Sequence, residues 1–226
     1  MTRNRDARPE GDKATASPLD DGTGPRGRSW PGRGIPGPVV RSVADYGFAA
    51  LDDRIAPVVL QALRAEAEDR LASALAAEQS CSLSYRASIT GLGQRALAFL
   101  HDWETRALLT RLFGGEYALT EQWSCLTCYR TGDHLGAHLD EPASDCAVTI
   151  IIYLTAQSPD PLAADTGLVL KIYGERPETV GRPRLSVPTR VGTIVHGRGS
   201  RIWHERPKLL AGETVVASTG CYRQTA

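Results

Sequence analysis

The sequence predicts an α+β protein in which helices come first and a β core follows. Two observations carry this prediction. Before Gly115 the aliphatic residues recur at helical spacing, and after it short runs rich in β-branched and aromatic residues alternate with turn clusters. Strands at this spacing are typical of an all-β barrel or sandwich. A chain of 226 residues can hold one such domain with a sizeable core, together with a tail.

The N-terminal residues 1–38 combine Pro, Gly, Arg, Asp and Ser with almost no aliphatics. They cannot bury enough apolar surface to offset the entropy lost on ordering. We therefore predict a disordered tail here and a single folded domain over residues 39–226. The domain is expected to contain an early short strand within YGFAALDD, residues 46–53, which ends in acidic turn residues.

Two amphipathic helices are expected next. Aliphatic residues at helical spacing predict the first over residues 56–79, where Pro57 suits the first turn. The second is predicted over residues 95–112, and the pair Gly114 and Gly115 ends it.

Six later runs predict the strands of the β core. In chain order they are ALTEQWSCLTCY (118–129), CAVTIIIYLT (146–155), GLVLKIYG (167–174), GTIVHG (192–197), SRIWHE (200–205) and ETVVASTGCY (213–222).

Composition argues against two classes of partner. Lys+Arg and Asp+Glu both number 26, and this balance gives no support for nucleic-acid binding, which selects for a basic face. No apolar run has membrane-spanning length and no signal-peptide pattern opens the chain. We therefore expect a cytoplasmic protein that does not associate with membranes.

The five cysteines are expected to be reduced, mostly buried thiols, because no secretion signal accompanies them. Cys125 and Cys128 form a C-x-x-C pair, but no second pair follows at zinc-ribbon spacing. Strand-forming residues surround the pair, which favours two thiols in a strand over a redox or zinc site.

The segment HLGAHLDEP, residues 134–142, places His138 and Asp140 two positions apart. Side chains alternate faces along a strand, so positions i and i+2 point the same way and can bind one ion. His204, in the predicted strand SRIWHE, is the best candidate for a third ligand. Two imidazoles and one carboxylate on one face of an octahedron leave three positions open, which is the arrangement of non-haem Fe(II) oxygenases.

From about residue 45 to residue 223 the chain resembles the prolyl 4-hydroxylase-like branch of the Fe(II)/2-oxoglutarate dioxygenases. The matching segments, in chain order, are YGFAALDD with the helix after it, Tyr129 with the glycine turn before His138 and Asp140, VTIIIYL (148–154), GLVLKIYGE (167–175), VGTIVHGRGSRIWHERP (191–207), and Gly212 eight residues after His204. The resemblance implies a double-stranded β-helix, a jelly-roll or cupin-like barrel, with N-terminal supporting helices. It also implies Fe(II) bound by the His138, Asp140 and His204 side chains, with 2-oxoglutarate and O₂ as co-substrates.

The same resemblance implies a 2-oxoglutarate pocket lined by Tyr129, Thr149 and Tyr153, with Ile151 and Leu170 as its apolar walls. Two phenols and a hydroxyl can donate hydrogen bonds to a carboxylate. Alternation along the predicted strand also places Thr149, Ile151 and Tyr153 on one face.

The chain departs from the family pattern beyond the distal histidine. The family usually has Arg or Lys nine or ten residues after it, to pair with the far carboxylate of the co-substrate, whereas this chain has Glu213 and Thr214. A buried carboxylate without a cationic partner is costly, so another residue must compensate. The basic residues that remain as candidates are Lys171, Arg201, Arg206 and Arg223.

We therefore predict an oxygenase that hydroxylates, desaturates or cyclises a small molecule, such as an amino acid or a natural-product intermediate. Substrate contacts are expected from loops at residues 84–95, 155–166 and 174–184. Three alternatives stay open: a barrel without turnover that acts as a binding partner, an Fe(II) oxygenase that does not use 2-oxoglutarate, and a cupin-like zinc or nickel enzyme. The sequence leaves the oligomeric state undetermined.

Overall fold

The computed structural model of the protein describes residues 35–78, 83–160 and 165–225. The predicted disordered tail lies outside the described residues except at its end, where residues 37 and 38 belong to the first helix. No helix within these three stretches is long and apolar enough to cross a membrane.

Helices occupy the N-terminal part of the described chain and strands dominate the rest. The α-helices are α1 (Gly37–Tyr46), α2 (Pro57–Leu71), α3 (Gln94–His101), α4 (Trp103–Phe113) and α5 (Pro177–Val180). The strands are β1 (Phe48–Leu51), β2 (Leu75–Glu78), β3 (Tyr85–Gly91), β4 (Tyr117–Leu119), β5 (Cys125–Tyr129), β6 (His134–His138), β7 (Val148–Gln157), β8 (Val169–Gly174), β9 (Leu185–Pro188), β10 (Ile194–Gly197), β11 (Trp203–Arg206) and β12 (Thr214–Gln224).

The described strands form one antiparallel sheet. Its neighbours follow the order β1-β10-β7-β12-β5-β3-β6-β11-β8-β9, with β2 added beside β3 and β4 beside β12. Many neighbouring strands are far apart in sequence, as expected of a barrel rather than of a chain of hairpins. All six runs predicted as strands contain strands of this sheet, so the predicted order of helices followed by a β core is confirmed.

Strand β7 separates two apolar clusters. Ile150 and Ile152 point to one side and join a cluster with residues of α2, α3 and α4, called here the helix-side cluster. Ile151 and Tyr153 point to the other side and join the inner cluster, which includes Leu170. This division follows from the alternation of side chains along a strand. The inner face is therefore the wall of the barrel interior.

The predicted helix boundaries are wrong at two places. Helix α2 ends at Leu71, because a turn follows and residues 75–78 instead pair with β3 as strand β2. The second predicted helix is divided at Asp102, whose ψ of 140° is not helical. Asp102 Oδ1 accepts a hydrogen bond from the backbone N–H of Glu104, which caps the start of α4. The predicted end at Gly114 is confirmed.

The predicted substrate loop at residues 84–95 is largely a strand. Residues 85–91 form β3, which lies between β5 and β6 in the sheet. Ala87 belongs to the inner cluster and Ile89 packs against it. In this segment Tyr85, Ala87 and Ile89 alternate with polar residues, which is itself a strand pattern, and the strand pairs with a neighbour on each side.

The prediction of five reduced cysteines is wrong for two of them. Cys146 and Cys221 form a disulfide, with their Cα atoms 4.6 Å apart. The antiparallel pairing of β12 with β7 places Cys221 opposite Thr149, close to where the chain enters β7 after Cys146. Cys125 and Cys128 are free thiols in β5, as predicted. Cys81 lies outside the described residues.

Candidate active site

Strand pairing between β6 and β11 assembles the candidate metal ligands. His138, the last residue of β6, lies directly opposite His204 on β11. Asp140 follows just beyond the end of β6, where its backbone N–H donates to the carbonyl of Gly199 at 3.0 Å. Two distant segments are thus joined by a ladder, and the predicted His138, Asp140 and His204 come together.

The side-chain atoms converge closely enough to hold one ion. Asp140 Oδ1 lies 3.2 Å from His138 Nε2 and 3.6 Å from His204 Nε2, and the two imidazole centroids are 4.2 Å apart. One ligand atom from each residue lies within 4.8 Å of the others. Among the residues that the structure describes, this is the group of His, Cys, Asp and Glu side chains with such a geometry.

Backbone carbonyls fix the orientation of both imidazoles. His138 Nδ1 lies 3.0 Å from the carbonyl oxygen of Gly136, and His204 Nδ1 lies 2.9 Å from that of Ile202. A carbonyl oxygen can only accept, so each Nδ1 carries the proton and donates it. Nε2 is then the ring atom that faces Asp140: when protonated it donates to the carboxylate, and in the neutral ring its lone pair is available to a metal ion.

The electrostatics of the three residues favour an anionic Asp140. Burial alone would raise the pKa of this carboxyl, but the charges and hydrogen bonds of His204 and His138 outweigh it and hold the pKa well below its usual range. Burial would lower the pKa of His204, yet the Asp140 carboxylate and the Ile202 carbonyl raise it overall. The carboxylate is therefore ionised, which is the form that binds a divalent cation.

Two further residues hold the second oxygen of Asp140 in place. The hydroxyl of Thr149 donates a hydrogen bond to Asp140 Oδ2. Gly199 lies so close that a Cβ at its position would overlap the Asp140 carboxylate and approach Thr149 Oγ1 to 3.0 Å. Thr149 was expected in the co-substrate pocket, and the structure places its hydroxyl against the ligand carboxylate. Gly199 was not singled out from the sequence, because its importance depends on a contact with Asp140, which lies 59 positions earlier in the chain.

The residues expected to line the co-substrate pocket lie together on the barrel interior. Tyr129 and Tyr153 are buried in the inner cluster, where Leu170 is also found, and Ile151 packs against it. Burial raises the pKa of Tyr129 despite the nearby charge of Arg206, so its phenol is protonated and able to donate a hydrogen bond.

The four basic candidates have very different positions. Arg201 and Arg223 are exposed. Lys171 points away from the inner cluster, and its Nζ lies 3.4 Å from Glu205 Oε1. Arg206 is only 4% exposed, and its guanidinium donates hydrogen bonds to the Tyr153 hydroxyl at 2.8 Å and to Thr189 Oγ1 at 3.1 Å. Arg206 is therefore the basic residue that the fold brings to the predicted pocket.

Glu213, one of the two residues found where a cation was expected, has a structural role. Its buried carboxylate accepts hydrogen bonds from the backbone N–H groups of Gly167 at 2.9 Å and Leu210 at 2.7 Å, and from the Thr166 hydroxyl. These contacts join the segment before β8 to the turn before β12. The position is thus occupied by a carboxylate that its own neighbours satisfy.

His196 belongs to a different part of the molecule from the candidate metal site. It is fully buried in β10 between Ala49 of β1 and Ile150 of β7, both of which belong to the helix-side cluster. Neither ring nitrogen has a hydrogen-bond partner within the described chain. Burial lowers the pKa of His196 to about 3, so this ring is neutral and takes no part in the metal site.

The arrangement fits a metal ion of the kind implied by the sequence. Two imidazole nitrogens and one carboxylate oxygen on one side leave further positions of an octahedron free for other ligands, which suits non-haem Fe(II). Fixed tautomers and a hydrogen-bonded carboxylate are the outer contacts that metal ligands usually have.

Comparisons with known proteins identify the fold. No protein-family model matches the chain, and no curated protein matches its sequence. A prolyl-4-hydroxylase from Pseudomonas putida superposes with a TM-score of 0.61 at 17% identity, covering 84% of this chain and 98% of that chain. HygX from Streptomyces hygroscopicus was solved with nickel, 2-oxoglutarate and hygromycin B bound. It superposes with a TM-score of 0.61 at 13% identity, covering 84% of this chain and 88% of that chain.

A third structure is SnoK, described as a non-haem α-ketoglutarate-dependent carbocyclase from nogalamycin biosynthesis. It superposes with a TM-score of 0.65 at 15% identity, covering 84% of each chain. These likenesses confirm the predicted fold class: the chain has the double-stranded β-helix fold of the Fe(II)/2-oxoglutarate oxygenases.

Proposed function

We propose that the protein is a non-haem Fe(II)- and 2-oxoglutarate-dependent oxygenase that acts on a small molecule. The observation that carries this proposal is the convergence of His138, Asp140 and His204 inside the barrel, with both imidazoles turned by backbone carbonyls to offer Nε2. The fold supports it, because SnoK, which is α-ketoglutarate-dependent, and HygX, solved with 2-oxoglutarate bound, have the same architecture.

Each element of the site has a task in this function. The three ligands would bind Fe(II), with Thr149 holding the free oxygen of Asp140. Tyr129 and Tyr153 would donate hydrogen bonds to the co-substrate. The apolar side chains of the inner cluster would exclude water from around it. When bound, iron and 2-oxoglutarate supply the oxidation chemistry: O₂ is consumed, the oxo acid becomes succinate and CO₂, and the substrate is oxidised.

A natural-product intermediate or an amino acid is the proposed class of substrate. The supporting comparison is with SnoK, a carbocyclase from nogalamycin biosynthesis, and with HygX, which was solved with hygromycin B bound. Hydroxylation is the default outcome, and desaturation or cyclisation of the same substrate carbon is the alternative that the site chemistry permits.

The test is anaerobic titration of the purified protein with Fe(II) and then 2-oxoglutarate, followed by the visible charge-transfer band and by succinate release in air. We expect the wild-type protein to show both. Asp140→Ala should lose both because one metal ligand is removed, while its circular dichroism stays that of the wild type.

Asp69→Ala is the matched control, since Asp69 is an exposed carboxylate on α2. It should behave as the wild type does. A wild-type protein without the band and without succinate release would contradict the proposed function. Full turnover by Asp140→Ala would show that the metal ligands are wrongly assigned.

A further inference from the structure

Arg206 is a buried cation that pairs with none of the acidic side chains in the described part of the chain. The residue as a whole is 4% exposed, and its guanidinium takes part in none of the ion pairs of the described residues. Its hydrogen bonds go to two neutral hydroxyls, those of Tyr153 and Thr189. A guanidinium has five N–H donors, and burying its charge without a counter-ion is costly. An anionic ligand would offset that cost.

The surroundings of Arg206 make it a rigid platform. Its guanidinium carbon lies 5.1 Å from the ring centroid of Tyr153 and 5.5 Å from that of Tyr129. Stacking on two rings and bonding to two hydroxyls fixes the plane of the guanidinium. A fixed planar fork suits bidentate binding of a carboxylate.

The position of Arg206 relative to the metal ligands sets the length of such a ligand. Arg206 lies two residues after His204 on β11, so both side chains point to the barrel interior. A strand rises about 3.3 Å per residue, which separates the two backbone positions by roughly 6–7 Å along the barrel wall. This separation suits a short diacid with one end at the metal and the other end at Arg206.

We propose that Arg206 binds the far carboxylate of 2-oxoglutarate, and so replaces the basic residue that the family usually carries nine or ten positions after the distal histidine. The proposal rests on the proposed function. It explains why Glu213 can stand at the usual position: that carboxylate is satisfied by Gly167 and Leu210 and has no role in the pocket. Tyr153 and Thr189 would position the guanidinium, and Arg206 alone would supply the charge.

Binding of two oxo acids to the wild-type protein tests the proposal directly. The protein is loaded with Mn(II), and dissociation constants for 2-oxoglutarate and 2-oxopentanoate are measured by calorimetry. The second compound has the same carbon chain but ends in a methyl group. We expect it to bind about 100-fold more weakly, because the buried charge is left unpaired. Equal affinities would overturn the proposal, whereas binding of neither acid would overturn the proposed function as well.

Variants then identify the residue. Arg206→Met should lose about 100-fold in affinity for 2-oxoglutarate, change little towards 2-oxopentanoate, and bind Mn(II) as the wild type does. Arg206→Lys should recover part of the loss, since it keeps the charge but not the planar fork. The controls Arg201→Met and Arg223→Met remove exposed cations and should bind 2-oxoglutarate normally.

A preference for 2-oxoglutarate that survives in Arg206→Met would overturn the assignment. A preference that is lost instead in either control would place the charge elsewhere and overturn it too. If Arg206→Met does not fold, the test is the ratio of the two wild-type dissociation constants together with the affinity of Arg206→Lys for 2-oxoglutarate. An affinity of Arg206→Lys equal to that of the wild type would contradict a bidentate anchor.

Discussion

At the scale of single residues, the two oxygens of Asp140 have separate tasks. Oδ1 faces the Nε2 atoms of His138 and His204, and Oδ2 accepts a hydrogen bond from Thr149. The free oxygen is thereby held while the other stays available for a cation. The carboxylate can occupy this position only because residue 199, which packs against it, has no side chain. The geometry of the site therefore depends on a glycine that contributes no side chain to it.

Gly199→Ala is predicted to weaken metal binding without unfolding the protein. The added methyl group would overlap the Asp140 carboxylate, which must rotate away from the two imidazoles. Disturbing the outer contacts of a ligand typically costs about 10–100-fold in metal affinity, and we expect a loss of that size for Fe(II). The measurement is anaerobic Fe(II) titration, with thermal unfolding as the check on stability.

Gly37→Ala provides the comparison for that variant. Its added Cβ would meet only the Arg41 side chain, at 3.7 Å, far from the metal site. It should bind Fe(II) as the wild type does. Unchanged affinity in Gly199→Ala would mean that Asp140 does not need its observed orientation.

At the scale of secondary-structure elements, one short strand contributes to two parts of the site. The four-residue strand β11 carries His204 and Arg206 on one face, so one element contributes both to the metal site and to the proposed anchor. The helices support the opposite face of the sheet through the helix-side cluster.

Helix α3 has no capping side chain of its own, because Gly93 precedes it. Its N-terminus is capped instead by Glu66 of α2.

Glu66→Ala is predicted to destabilise the protein by about 1–2 kcal/mol. The Glu66 carboxylate accepts hydrogen bonds from the backbone N–H groups of Arg95 at 2.8 Å and Ala96 at 3.0 Å. Both donors at the start of α3 lose their acceptor when the side chain is removed. The free energy of unfolding in urea measures the loss.

The control lies two residues further along the same helix. Glu68 is exposed, and Glu68→Ala should change the free energy of unfolding by no more than about 0.5 kcal/mol. Equal effects of the two substitutions would show that the cap contributes nothing beyond the helix propensity of alanine.

At the scale of the whole molecule, the sheet separates the interior that holds the candidate metal site from an exterior covered by helices. The inner cluster surrounds the predicted co-substrate residues, and the helix-side cluster holds α2, α3 and α4 against the sheet. His196 is a polar group within that second layer, with both nitrogens unpartnered in the described chain. Its burial alone shifts its pKa from 6.5 to about 3, without a contribution from any charged group.

This shift predicts how stability depends on pH. Between pH 6.5 and pH 3 the unfolded chain binds a proton at His196 that the folded protein does not bind, so the free energy of unfolding falls as the pH falls. Well above pH 6.5 the titration of His196 does not reduce the free energy of unfolding. At pH 5 it lowers that free energy by about 2 kcal/mol. Urea unfolding at pH 7.5 and pH 5 measures the change.

His196→Leu isolates this effect. The apolar side chain cannot titrate, so the variant should lose about 2 kcal/mol less than the wild type between the two pH values. It should be at least as stable as the wild type at pH 7.5, because no unpartnered polar group is buried. Identical pH dependence in the two proteins would contradict the assignment, since all other titrating groups are shared.

Much of this site could be predicted from the sequence because its signals are local. His138 and Asp140 are two positions apart, and the strand around His204 has the expected β-forming residues. The convergence of these three side chains was therefore predictable. The burial of Arg206 was not predictable, because nothing in the sequence favoured it over Arg201 and Arg223, which also lie near strand ends. Its position two residues after His204, on the same face of the strand, was a signal that could have been used.

The sequence by itself determined the fold class, the order of helices and strands, and the three side chains that form the candidate metal site. These follow from periodicity and spacing over a few residues, and the ordered resemblance to known dioxygenases reinforced them. The tertiary structure alone decided the Cys146–Cys221 disulfide, the close approach of Gly199 to Asp140, and which arginine enters the barrel. Each depends on pairing between strands distant in the chain, as with the 75 residues that separate the two cysteines. Strand register, which sets these contacts, is fixed by packing of the whole sheet rather than by any local segment.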